Sequence, residues 1–115
     1  MRTHYEERME ADLAEIKRKV RKVSDLVELQ VQRAVEAFLT ETVDLANQAV
    51  LGDRQVNRRI KDLDYLCHSF IVRHAPSAGH LRFVSAVLRL AVALERVGDY
   101  AGMMGREVVR LSAPP

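Results

Sequence analysis

No proline occurs before Pro76, and before it only Gly52 breaks the run of helix-compatible residues. A sandwich or barrel needs a turn signal every 8 to 12 residues or so, and none recurs at that interval here. The chain must therefore fold from a few very long helices. Apolar spacing agrees. From about His4 to Leu39 the row Met9, Leu13, Ile16, Val20, Val23, Val27 alternates steps of four and three, then continues with a shift through Val31, Ala34 and Phe38. From about Val43 to His74 the seam reads Leu45, Ala49, Val56, Ile60, Leu63, Cys67 and Phe70, entered from Thr40 or Thr42 as N-cap. Gly52 lies inside this second seam, where it either costs about 1 kcal/mol within one helix or marks a turn; one unbroken helix is expected.

Arg73-His74-Ala75-Pro76-Ser77 is the clearest break, because the residue before a proline is driven out of the helical region. A third helix then runs from about Ala78 to Leu111. It carries one seam of Val87, Leu90, Leu94, Val97, Ala101, Met104, Val108 and Leu111, and a second row of Leu81, Val84, Leu88 and Ala91. Two apolar rows predict that this helix is the most buried. Three long helices with two short connections make an all-α, antiparallel up-down-up three-helix bundle, expected as a single domain over residues 1–115.

With 48% apolar residues the chain can bury a core. A single cysteine excludes a disulfide framework and a cysteine-based zinc site, and suits a reducing compartment. No apolar leader is visible at the start and no apolar run is long enough to span a bilayer, so a cytoplasmic, soluble protein is expected. The net charge of +2 gives little steering toward nucleic acid.

Two polar patterns carry possible chemistry. Glu95 and Asp99 stand four residues apart, where like charges repel unless a cation or an arginine compensates. Glu95 also continues the row of Leu81, Val84, Leu88 and Ala91, which directs it toward a packed interface. Gly98, Gly102 and Gly105 lie beside this pair and permit close approach of a helix or an ion. In the second helix Asp53, Asn57, Lys61, Asp64 and His68 share one face, and all but the lysine can ligate a hard or borderline cation. A solvated polar face explains the same spacing. Antiparallel pairing about Ser77 brings Asp53, Asn57 and Asp64 within one to two turns of Glu95 and Asp99.

Lys17-Arg18-Lys19-Val20-Arg21-Lys22 concentrates five cations, without interleaved aromatics for base stacking, and reads as a solvated face before a nucleic-acid site. Cys67 sits on an apolar seam and reads as a buried, inert thiol. No phosphate loop, nucleophile elbow or paired-histidine spacing is present, so no enzyme is expected.

The series Asp53-x-x-Val56-Asn57, Asp64-x-x-Cys67, Pro76, Leu81-Arg82 and Leu94-Glu95-Arg96-Val97-Gly98-Asp99-Tyr100-Ala101 resembles the PhoU family of phosphate-signalling regulators. The ERxGDxA string is its most specific element. The resemblance implies one three-helix repeat of an architecture that usually has two in tandem, and hence a homodimer in which a second copy replaces the sibling repeat. It implies a negative regulator of phosphate uptake and of the starvation response that contacts an ABC-type phosphate transporter and a sensor histidine kinase, reaching the membrane only through those partners.

Some members hold iron or other metal through E(D)xxxD motifs. Glu95 and Asp99 match such a motif, with Asp64 and Asp53 as further candidate ligands. Ile60 replaces the carboxylate that would precede Asp64, which removes one ligand; no cofactor is required, and at most a single divalent or iron ion is implied. Arg82 and Asn57 match family positions without an assigned role. A metal-binding bundle built on Glu95 and Asp99, or a nucleic-acid module using residues 17–22, are the competing functions.

Overall fold

The computed structural model describes residues 3–114. It contains α1 (His4–Thr40), α2 (Val43–His74) and α3 (Ala78–Ser112), packed as an all-α, antiparallel three-helix bundle measuring 68 × 19 × 17 Å. Most helical stability in a protein comes from packing of an apolar face, and here the long seams supply it.

The helix ends follow local chemistry. Thr3 caps α1, its hydroxyl oxygen accepting from the Glu6 amide at 3.1 Å. Glu41 and Ala75 end α1 and α2 in left-handed conformations. Thr42 and Ser77 occupy the next two N-cap positions without side-chain capping bonds. Gly52 lies within an uninterrupted α2.

Each buried seam alternates three and four more strictly than hydrophobicity alone suggests. In α1 it runs Leu13, Ile16, Val23, Val27, Gln30, Ala34, Ala37, so no shift occurs; Val31 is partly buried at the edge and Phe38 is 57% exposed. In α2 it runs Ala46, Ala49, then Val56, Ile60, Leu63, Cys67, Phe70, His74, and Asp53 fills the step between Ala49 and Val56.

In α3 the buried residues are Val84, Val87, Ala91, Gly98, Ala101, Gly102, Gly105 and Val108. Leu90, Val97, Met104 and Leu111, expected in the core, are exposed, and α3 is not the most buried helix. The reason is steric. Glycine and alanine on α3 let its backbone approach α2 closely, and this small-residue face captures the interior while the larger side chains turn outward.

The core is thereby divided. Toward the α2–α3 turn, Leu13, Ile16, Val23, Leu63, Phe70 and Val84 belong to one large apolar cluster. Toward the α1–α2 turn the interior is mostly alanine: Ala34, Ala49 and Ala101 in one cluster, Ala37 and Ala46 with Val108 in the next. Gln30 and Asp53 lie between the two halves.

Candidate functional site

Gln30, Asp53 and Gly98 occupy seam positions on three different helices and form a polar layer across the bundle. Gln30 is 2% exposed, and its Nε2 donates to the Ala49 carbonyl at 2.8 Å. The glycines opposite make room for this layer. A Cβ on Gly98 would stand 3.1 Å from Val56 Cγ1 and 3.2 Å from Gln30 Oε1, and one on Gly102 would stand 3.4 Å from Asp53 Oδ2. Small residues next to Glu95 and Asp99 thus have a packing purpose.

Asp53 and Asp99 meet across α2 and α3. Partial burial raises the Asp53 carboxyl above its ordinary value, and the charge and hydrogen bonding of Asp99 push it the same way; Arg106 and Gln30 oppose them. Asp53 Oδ1, Asn57 Oδ1 and Gln30 Oε1 are buried with no hydrogen-bond partner. All three are acceptors, so this layer is short of donors or positive charge.

The four carboxylates predicted as ligands are not gathered into one set. Glu95 is exposed and does not enter a packed interface, which corrects the direction inferred from its row. After Ala91 the inward step is taken by Leu94, which packs against the core, and leaves Glu95 outside it. Asp64 is also exposed and sits 3.4 Å from His68 Nδ1, one turn along its own helix. Ile60 is 6% exposed and belongs to the apolar core. Among the described residues, no three His, Cys, Asp or Glu side chains come together in one cluster.

The basic row is partly neutralised. Arg18 pairs with Glu15, Lys19 lies 4.0 Å from the same carboxylate, and the Lys17 ammonium sits 5.5 Å above the Phe83 ring. Cys67 is fully buried, and burial, with the charge of Asp64 adding, pushes its thiol up to about 11. It is a neutral thiol at physiological pH and no nucleophile.

A second polar cluster escaped the sequence reading. His74, at the end of α2, is buried with its Nε2 2.6 Å from Asp12 Oδ2 on α1. Arg73 Nη1 donates to the same oxygen at 3.1 Å, and the Tyr5 hydroxyl donates to the His74 carbonyl. The bond from His74 holds the Asp12 carboxyl below its ordinary value, helped by Arg73 and opposed by burial. The available signal was His74 completing the strict seam one step after Phe70; nothing local announces Asp12. This cluster ties the start of α1 to the α2–α3 turn.

A family model described as the PhoU domain matches residues 20–108. A phosphate-specific transport system accessory protein PhoU homolog from Pseudomonas putida is 31% identical over 108 residues, covering 94% of this chain and 42% of that protein. Phosphate-specific transport system accessory proteins PhoU from Edwardsiella tarda and Escherichia coli K12 are 34% and 31% identical, each over 90% of this chain and 42% and 43% of their own lengths. The chain spans less than half the length of these relatives. Among the described residues, no helix is long and apolar enough to cross a membrane.

Proposed function

The chain belongs to the PhoU family, and from that membership we propose that it regulates phosphate transport and phosphate-starvation signalling as a protein-binding adaptor. The carrying observation is the family match across residues 20–108, which takes in the buried seams from Val23 onward, the Asp53–Asp99 contact and the ERxGDxA string. Its partners in this reading are an ABC-type phosphate transporter and a sensor histidine kinase; the relatives' names, accessory proteins of a phosphate-specific transport system, support the association with a transporter. It acts in the cytoplasm, meets the membrane through those partners, and performs no catalysis. A narrow rod with helical faces along its length suits such a role, because each face can contact a different protein while the seams hold the rod rigid.

Phosphate uptake in cells tests this reading. A strain lacking the chain should take up labelled phosphate without normal restraint, and the purified chain should bind the transporter. Unchanged uptake together with no binding would reject it.

A second reading places a single hard cation between Asp53 and Asp99. The three buried acceptors without donors support it, since carboxylate and amide oxygens are the ligands such an ion takes and its charge would relieve the Asp53–Asp99 repulsion. Glu95 and Asp64 stand outside that set. Metal analysis of protein purified without chelators should then find about one ion per chain, lost in Asp53→Asn and Asp99→Asn.

A further inference from the structure

Charge is sorted along the rod, which the net value of +2 conceals. Over residues 26–56 and from 97 onward, the half nearer the α1–α2 turn, acids outnumber bases; over residues 3–25 and 57–96 bases outnumber acids. In this second half the bases also gather in rows. Lys17, Arg18, Arg21 and Lys22 of α1, with Asp25, surround a shallow surface hollow of about 510 Å³. Arg82, Arg89 and Arg96 stand seven residues apart on α3, nearly two turns each time, and make one exposed row about 21 Å long.

The two rows flank one groove. α1 and α3 run parallel, and the Lys17 ammonium, 5.5 Å above the ring of Phe83, fixes their relative height. Each helix rises about 1.5 Å per residue, so Arg89 comes level with Val23, next to Arg21 and Lys22. Neutralisation reaches only part of this surface. Arg18 and Lys19 share Glu15, whereas among the described residues Arg21, Lys22, Arg82, Arg89 and Arg96 have no ion-pair partner. Beside Arg89 the apolar side chains of Leu90 and Val92 are 41% and 58% exposed.

We propose that this α1–α3 face binds directly to an anionic phospholipid surface, its arginine and lysine heads meeting lipid phosphates while Leu90 and Val92 enter the boundary between headgroups and acyl chains. The argument is charge complementarity joined to exposed hydrocarbon. Several unpaired bases on amphipathic helices are the footprint of anionic lipid, and each one near the surface multiplies affinity about fivefold. Their long stems let the charges reach phosphate while neighbouring apolar groups dip below it. A nucleic acid fits less well. Two helices side by side, each about 10 Å across, are too broad for a duplex major groove of about 12 Å, and Phe83 is covered by Lys17 instead of offering its face to a base. The contact is the chain's own and adds to any made through the transport partners proposed above.

Vesicle sedimentation with the full 115-residue chain tests this. The chain should pellet with vesicles of phosphatidylglycerol and phosphatidylcholine in equal parts, should not pellet with phosphatidylcholine alone, and should be released as salt is raised. Arg21→Gln and Arg89→Gln should each weaken binding about fivefold, with helical circular dichroism unchanged. Arg54→Gln removes the same charge from the acidic half and should leave binding unchanged. No pelleting with the anionic vesicles at low salt overturns the proposal, as does equal pelleting with both kinds or an equal loss in all three variants. Binding of duplex DNA without binding of the vesicles would assign the face to nucleic acid and overturn it too. The vesicles carry no protein, so this result stands apart from whether the chain binds a transporter.

Discussion

Of the three buried glycines of α3, Gly105 leaves the least room against α2, and adding one methyl group there measures how tightly the alanine half is packed. A Cβ at this position would stand 2.7 Å from the Ala46 carbonyl oxygen, 3.1 Å from Val50 Cγ2 and 3.4 Å from Ala49 Cβ. Ordinary contact begins at 3.4 Å, so Gly105→Ala must part the helices by the difference of 0.7 Å, and a backbone carbonyl cannot swing aside. Overpacking of this kind costs about 1–3 kcal/mol. The better helix propensity of alanine returns about 1 kcal/mol. A net loss of about 1 kcal/mol is expected, or roughly 4 °C in Tm for a domain of this size. Gly79→Ala is the control, since nothing lies within 4 Å of its Cβ and only the propensity gain remains. Urea unfolding followed by circular dichroism, at one fixed protein concentration so that any association is held constant, should rank Gly79→Ala above the parent chain and Gly105→Ala below it. A Gly105→Ala chain as stable as the Gly79→Ala chain would refute the close approach.

The Asp53 carboxyl is raised in the folded state, so its ionisation opposes folding as pH rises through the raised value. Asp53→Asn should therefore stabilise the fold at pH 7, with the advantage fading as pH falls through the raised value and gone below the ordinary value of 3.8 in a pH series of unfolding curves. Asp12 is the reverse case: its lowered value gives stability that is present above 3.8 and lost as pH falls through the folded value. Asp12→Asn should cost about 1 kcal/mol at pH 7, modest because the side chain is 34% exposed and screened by solvent, and should flatten the acid limb of the stability profile. Cys67 should react with a thiol reagent on the order of a thousandfold more slowly in the native chain than in urea, since the reagent reaches it only through opening; fast native labelling would contradict its burial.

Spacing and Pro76 placed all three helices within a residue or two, because breakers and periodicity are local signals. The face of α3 was harder to read. Leu90, Val97, Met104 and Leu111 outweigh Ala91, Gly98, Ala101 and Gly105 in hydrophobicity, yet the small set is buried, because backbone approach is a property of two helices together. Gln30 was passed over for the same reason: Val31 is the more apolar neighbour, although the strict alternation through Val27, Gln30 and Ala34 points to the glutamine. The sequence pairing of Asp53 with Asp99 reached the right neighbourhood. Glu95 and Asp64 failed as companions because shared spacing on a helix does not decide which side faces inward. The bond between Asp12 and His74 joins residues 62 apart and left no trace in either segment.

A seam that repeats every seven residues is ambiguous along its length, since sliding one helix by a heptad matches apolar residue to apolar residue again. The polar layer ends that ambiguity. A slip of seven between α1 and α2 would set Gln30 beside Ile60 or Ala46, and Asp53 beside Val23 or Ala37. Each polar group would then be stripped of water among hydrocarbon with no counterpart, at a cost of about 1–3 kcal/mol apiece. Gln30 and Asp53 thus work as an alignment key, giving up some packing energy so that the repetitive hairpin closes in one register.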